Sequence, residues 1–150
     1  FRCTFNMSSY AKISPMKFNN FFLIDDDTTS NFIDARLIEN YMIAKKIKVF
    51  NYANIALDEL KHLALTDSIE FPDVILLDIQ MPYMTGWQFI EEYEKFPAEV
   101  LKKCKLFMFS SSVNPKDIEK SKTYNVVTGF ISKPLTMEKL NDLILAPVKN

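Results

Sequence analysis

Four places in this chain set chemically able side chains directly after short apolar runs. Phe21–Ile24 is followed by Asp25, Asp26 and Asp27, and Val74–Leu77 by Asp78. Leu106–Phe109 is followed by Ser110, and Phe130–Ile131 by Ser132 and Lys133. Carboxylates gathered in one place repel one another and resist desolvation, and a cation between them relieves both costs. A hard, oxygen-seeking divalent ion suits such a set. Mg2+, or Mn2+ in its place, binds through a few carboxylates and keeps open positions for a phosphoryl oxygen. Lys133 adds a point positive charge and Ser110 a hydroxyl donor, both suited to the equatorial oxygens of a phosphoryl group. A carboxylate can itself be the nucleophile and become an aspartyl phosphate. Asp78, which ends the most apolar run, is the expected nucleophile, with Asp25 and Asp26 holding the metal.

These residues meet only if their runs are neighbouring strands that end on one rim. The pattern predicts that arrangement. From Asn19 onward, short apolar runs alternate with longer segments of helical period: strands at Phe21–Ile24, 47–50, Val74–Leu77, Leu106–Phe109 and Phe130–Ile131. Between and after them lie five helices. The first turns Phe32, Ala35, Ile38 and Met42 inward, with Thr28, Thr29 or Ser30 able to cap it. The second carries Leu57, Leu60 and Ala64 and ends near Thr66; the third runs from Trp87 to Phe96. The fourth runs from Pro115 to Thr123, and the last is capped by Thr136. The fold class is therefore α/β, a five-stranded parallel, doubly wound (βα)5 sheet of flavodoxin-like type, with its site beyond the carboxyl ends of the strands.

Composition removes competing chemistries. The chain has 150 residues and is 48% hydrophobic, enough for one domain with a real core. Its two glycines, Gly86 and Gly129, cannot write a P-loop or a dinucleotide fingerprint. One histidine, His62, and two cysteines, Cys3 and Cys104, leave no zinc-binding pattern and fit a reducing, cytoplasmic setting. A net charge of −1 gives no general attraction for nucleic acid, and no apolar run approaches the roughly 20 residues of a membrane span. Residues 1–18 lack a period and read as a tail, with Met7 or Met16 as alternative starts, leaving 19–148 as the domain.

The stretches FFLIDDD, VILLDIQMPYMTGWQFI, LFMFSSS and GFISKP, in that order, resemble a response-regulator receiver domain of two-component signalling, in its chemotaxis-regulator-like, stand-alone form. The resemblance implies Asp78 as phosphoacceptor, with Asp25, Asp26, Asp78 and the Gln80 backbone carbonyl around the metal. It makes Ser110 and Phe130 a switch pair, Lys133 the phosphate-facing lysine, and Lys133–Pro134 a cis bond. Its donor would be a sensor histidine kinase or a histidine phosphotransfer protein. Its readout would be a protein target docked on the fourth helix, fifth strand and fifth helix, with self-catalysed phosphorylation and dephosphorylation as the only chemistry. Serine at 110 departs from the commoner threonine yet keeps the hydroxyl. With the chain ending shortly after the last helix, no output domain is expected on it.

Plainer readings stand beside these. Asp27 is a helix cap, Ser111 an ordinary loop residue, His62 an exposed and inert side chain, and Gly86 a turn residue without chemistry. Phe130 serves equally well as plain core. Two other functions fit the pattern less closely: a phosphohydrolase with an aspartate nucleophile at Asp25, and a receiver-like interaction module that is never phosphorylated.

Overall fold

The structure, a computed structural model, describes residues 16–148. Strands β1 (Phe18–Ile24), β2 (Ala44–Phe50), β3 (Val74–Leu77), β4 (Lys105–Ser110) and β5 (Val127–Ser132) form one parallel sheet in the order β2-β1-β3-β4-β5. The helices are α1 (Thr28–Asn40), α2 (Ala53–Thr66), α3 (Gly86–Tyr93), α4 (Ala98–Leu101), α5 (Pro115–Lys122) and α6 (Met137–Leu145). Strand order reverses between β1 and β3, and the crevice at such a reversal is where open α/β sheets place their sites.

The central strands are covered on both faces, which is why they read as unbroken apolar runs. Alternate side chains divide between two cores. Phe22, Ile24, Ile75, Leu77, Leu106 and Met108 pack with Leu57 and Leu60 of α2 and Phe89, Ile90 and Tyr93 of α3. Phe21, Leu23, Val74, Leu76, Phe107 and Phe109 pack with Ile38 of α1 and Leu140 and Leu143 of α6.

The structure differs from the sequence reading in several places; β5, for one, runs from Val127 to Ser132 rather than over Phe130–Ile131 alone. Strand β1 begins at Phe18 because Phe18 pairs with Ala44 of β2, and the N–H groups of Lys17 and Phe18 donate to the Ile43 carbonyl, each at 3.0 Å. Strand β2 reaches back to Ala44 through Lys45 and Lys46, polar residues an edge strand carries without cost on its solvent side. The expected third helix stops at Tyr93, and Pro97 opens α4, a single extra turn too short to show a period. In α1 the inward residues are Asn31, Asp34 and Ile38, whereas Phe32 is 65% exposed and Met42 lies beyond the helix with φ 54°.

Capping follows the polar residues at each helix start. Asp27 caps α1, its Oδ1 accepting from the Thr29 and Ser30 N–H groups at 3.0 and 3.1 Å. Thr85 and Gln88 make a reciprocal capping box on α3, Asn114 caps α5, and Thr136 caps α6. Of the cysteines, Cys104 is a buried free thiol, while Cys3, Met7 and most of the expected tail lie outside the described residues. Among the described residues, no helix is long and apolar enough to cross a membrane.

Candidate functional site

The sheet ladder itself delivers the polar residues to the rim. The N–H of Asp25 donates to the Phe50 carbonyl at 3.0 Å, that of Asp78 to the Ile24 carbonyl at 2.9 Å, and that of Lys133 to the Ser110 carbonyl at 2.9 Å. Each residue is thus tied by its backbone to the end of a neighbouring strand, and its side chain stands at the carboxyl edge. Carboxylate oxygens of Asp25, Asp26 and Asp78 lie within 4.8 Å of one another, with Asp25 and Asp78 buried and Asp26 exposed. Lys133 forms an ion pair and hydrogen bond with Asp25 Oδ2, and its Nζ is 3.7 Å from Asp78 Oδ1. The Lys133 ammonium also lies 5.4 Å from the centre of the Phe109 ring, whose face attracts a cation.

The remaining expected residues fall around this cluster. Ser110, buried, ends β4, and its Oγ accepts from the Ser112 N–H at 3.2 Å. Phe130 is half-buried on β5 against the core shared with α2 and α3, and Gln80 is exposed two residues beyond Asp78. The Lys133–Pro134 peptide is cis, the isomer the resemblance implies. His62 is exposed on α2.

The electrostatics are those of acids held together against their preference. Burial, then the neighbouring Asp25 charge, pushes the Asp78 carboxyl up to about 6, with Lys133 and the Ile79 N–H pulling the other way. That N–H donates to Asp78 Oδ1 at 2.9 Å and fixes the carboxylate plane. Burial works to lower Lys133, but its hydrogen bond to Asp25 and the charges of Asp25, Asp78 and Asp34 prevail and hold it above the ordinary lysine value. Hard carboxylate oxygens this close, two of them shielded from water, match the donor set of Mg2+ or Mn2+.

Two residues that sequence reasoning passed over belong to the site's surroundings. Asn31 is buried and its side-chain amide donates to the Asp25 backbone carbonyl at 2.7 Å. Asp34 is buried on the inner face of α1, and burial is the main cause that raises its carboxyl to about 6. A raised carboxyl destabilises the fold in its charged form, so the cost is absent below the unfolded value near 3.8 and complete above about 6. Asp34→Asn is therefore expected to stabilise the metal-free protein at pH 7 by about 1–2 kcal/mol, a figure reduced for solvent screening. Thermal melts of the two proteins should separate as pH rises from 4 to 6 and coincide below; a constant gap at every pH would refute it.

The chain matches the response regulator receiver domain model over residues 21–145. It belongs to the response regulator receiver domain family, whose members are signalling domains. Among solved structures it is similar to a two-component response regulator from Cytophaga hutchinsonii, at 30% identity and TM-score 0.77, covering 84% of this chain and 93% of that one. It is also similar to a response regulator receiver protein from Dyadobacter fermentans, at 32% identity and TM-score 0.73, covering 83% and 94% respectively. A curated relative, the probable transcriptional regulator ycf29 of Porphyra purpurea, is 30% identical over 126 residues. That match takes in 83% of this chain but only 54% of the relative, so the chain spans about half the relative's length.

Proposed function

We propose that this receiver domain accepts a phosphoryl group on Asp78 from a histidine kinase or a histidine phosphotransfer protein, and that the change switches a protein-docking face. The observation that carries the reading is the meeting of the Asp25, Asp26 and Asp78 carboxylates with Lys133 reaching two of them, from three strands far apart in sequence. Asp25, Asp26 and Asp78, with the Gln80 backbone carbonyl, would hold Mg2+ or Mn2+. Such an ion supplies charge neutralisation for the carboxylates and for phosphoryl oxygens when bound.

In the transfer step an Asp78 oxygen attacks phosphorus. The new O–P bond forms as the N–P bond of a phosphohistidine breaks, and the leaving imidazole nitrogen keeps the electron pair. Lys133, already oriented toward Asp78, stabilises the charge on the transferring group, and the Ile79 N–H keeps the nucleophile in plane. The product adds about 1.5–2 negative charges at the rim. The Ser110 hydroxyl, at the end of β4, would donate to the new oxygens. Its movement would free space for Phe130 and alter the face made by α5, β5 and α6.

Incubation with acetyl phosphate and Mg2+, followed by intact-mass and peptide mapping, tests this directly. One added phosphoryl group on Asp78, abolished by chelator, is the expected result. No adduct with either acetyl phosphate or a beryllofluoride mimic would overturn the reading.

A further inference from the structure

The three clustered acids are not held alike. Asp25 is fixed by Lys133 and by the Asp27 N–H, which donates to its Oδ1 at 2.9 Å. Asp78 is fixed by the Ile79 N–H at 2.9 Å and faces Lys133. Asp26 is exposed, and among the described residues no hydrogen bond or ion pair reaches its carboxylate. Its place in the cluster therefore depends on the backbone that carries it.

That backbone is gripped by one side chain. Asn31, 3% exposed in the first turns of α1, donates from Nδ2 to the Asp25 carbonyl oxygen at 2.7 Å, the oxygen of the peptide joining Asp25 to Asp26. The same nitrogen donates to Asn51 Oδ1 at 3.1 Å, just past the end of β2. Because a carbonyl oxygen only accepts, the amide orientation is unambiguous: both hydrogens of one NH2 are used, on two different loops. On the other side the Asp25 N–H donates to Phe50 O at 3.0 Å. The turn preceding Asp26 is thus pinned to the β2–α2 connection through Asn31 and Asn51, with no help from Asp26's own side chain.

We propose that Asn31, oriented by Asn51, is the positioning residue for the Asp26 carboxylate, and so sets the protein's affinity for a divalent cation. This rests on the proposed metal-dependent phosphoryl acceptance. Groups that orient ligands from outside the coordination sphere strengthen metal sites by keeping the donors where the ion needs them. An aspartate at position 31 lacks the donor for the carbonyl, and an alanine leaves that oxygen unpaired in a buried turn.

The test is Mg2+ titration by calorimetry, without phosphodonor, on wild type, Asn31→Ala, Asn51→Ala and the double variant, each confirmed folded by circular dichroism. Asn31→Ala is expected to weaken Mg2+ binding about tenfold and Asn51→Ala about threefold. The double variant should be no weaker than Asn31→Ala alone, since Asn51 acts through Asn31. With acetyl phosphate, the Mg2+ concentration for half-maximal uptake should rise by the same factors, and uptake should recover at saturating Mg2+. A purely structural role would lower the melting temperature and leave the Mg2+ constant unchanged. An unchanged constant in folded Asn31→Ala overturns the proposal; if that variant does not fold, an unchanged constant in Asn51→Ala does so. Wild-type protein that binds no Mg2+ would instead overturn the metal-dependent function, and is distinguished from the first failure by needing no variant.

Discussion

Asp78→Asn protein is expected to keep its unmodified mass under conditions in which acetyl phosphate and Mg2+ load the wild type, with uptake lowered by at least about a thousandfold. The amide preserves the shape of the side chain and the oxygen that accepts from Ile79, so the loop keeps its hydrogen bond. What disappears is the anionic nucleophile and one of the clustered carboxylate oxygens. Asp25 is a poor substitute because its oxygens are already engaged by Lys133 and the Asp27 N–H. The same replacement removes a buried acid whose pKa is pushed up to about 6, so the metal-free variant should be more stable than wild type at pH 7. Loss of uptake together with a raised melting temperature would separate removal of the nucleophile from damage to the fold. Undiminished labelling of the variant, mapped to Asp25, would instead favour the phosphohydrolase chemistry with its nucleophile on β1.

The sheet and its rim were legible because buried parallel strands leave an unmistakable trace. Phe21–Ile24, Val74–Leu77 and Leu106–Phe109 are continuous apolar runs with polar residues at their ends, and those ends are where the ladder stops. Asp25, Asp78, Ser110 and Lys133 could therefore be placed on one rim from sequence pattern alone. Elements governed by tertiary contact left no such trace. The apolar period of α1 is half right: Ala35 and Ile38 pack inward as it predicts, but the first turns face the polar Asp25 turn and Asn51 and bury Asn31 and Asp34 instead of Phe32. Phe32 is consequently directed outward, where the Arg36 guanidinium lies 5.8 Å from its ring centre. Asn31 carried no signal of its own, since a single asparagine in a helix is unremarkable until its partners are known. The opening stretches of β1 and β2 carry Asn19, Asn20, Lys45 and Lys46, which leave no apolar run, and their place in the sheet follows from the pairing of the two strands, Phe18 with Ala44 and Asn20 with Lys46. The capping box of α3 is written in the sequence as Thr85-Gly86-Trp87-Gln88, a threonine followed three residues later by glutamine.

In the sequence Gly86 reads as a turn residue, yet its φ is not in the left-handed region and it begins α3. Its small size is required instead by close approach. A Cβ built there would lie 2.4 Å from the Asp78 carbonyl oxygen, 3.0 Å from Ile79 Cα and 3.2 Å from the Asp78 carbonyl carbon. All three are backbone atoms, so no rotamer change relieves the overlap; α3 must move away from the acceptor loop. That movement strains the Gly86 N–H bond to the Ile79 carbonyl, now 2.9 Å, and disturbs the peptide whose N–H holds Asp78 Oδ1. Gly86→Ala is therefore expected to cost about 3 kcal/mol of stability. It should also slow phosphoryl uptake at every Mg2+ concentration, since the displaced group is the nucleophile rather than Asp26. Gly129→Ala provides the internal comparison: its Cβ would meet only Phe107 ring atoms at 3.3 Å, which can shift by a few tenths of an ångström. That variant should lose less than about 1 kcal/mol and load normally. Denaturant unfolding of both proteins, paired with uptake kinetics, decides the matter. Equal stability losses at the two glycines would mean that the contact between α3 and the Asp78 backbone does not constrain the acceptor.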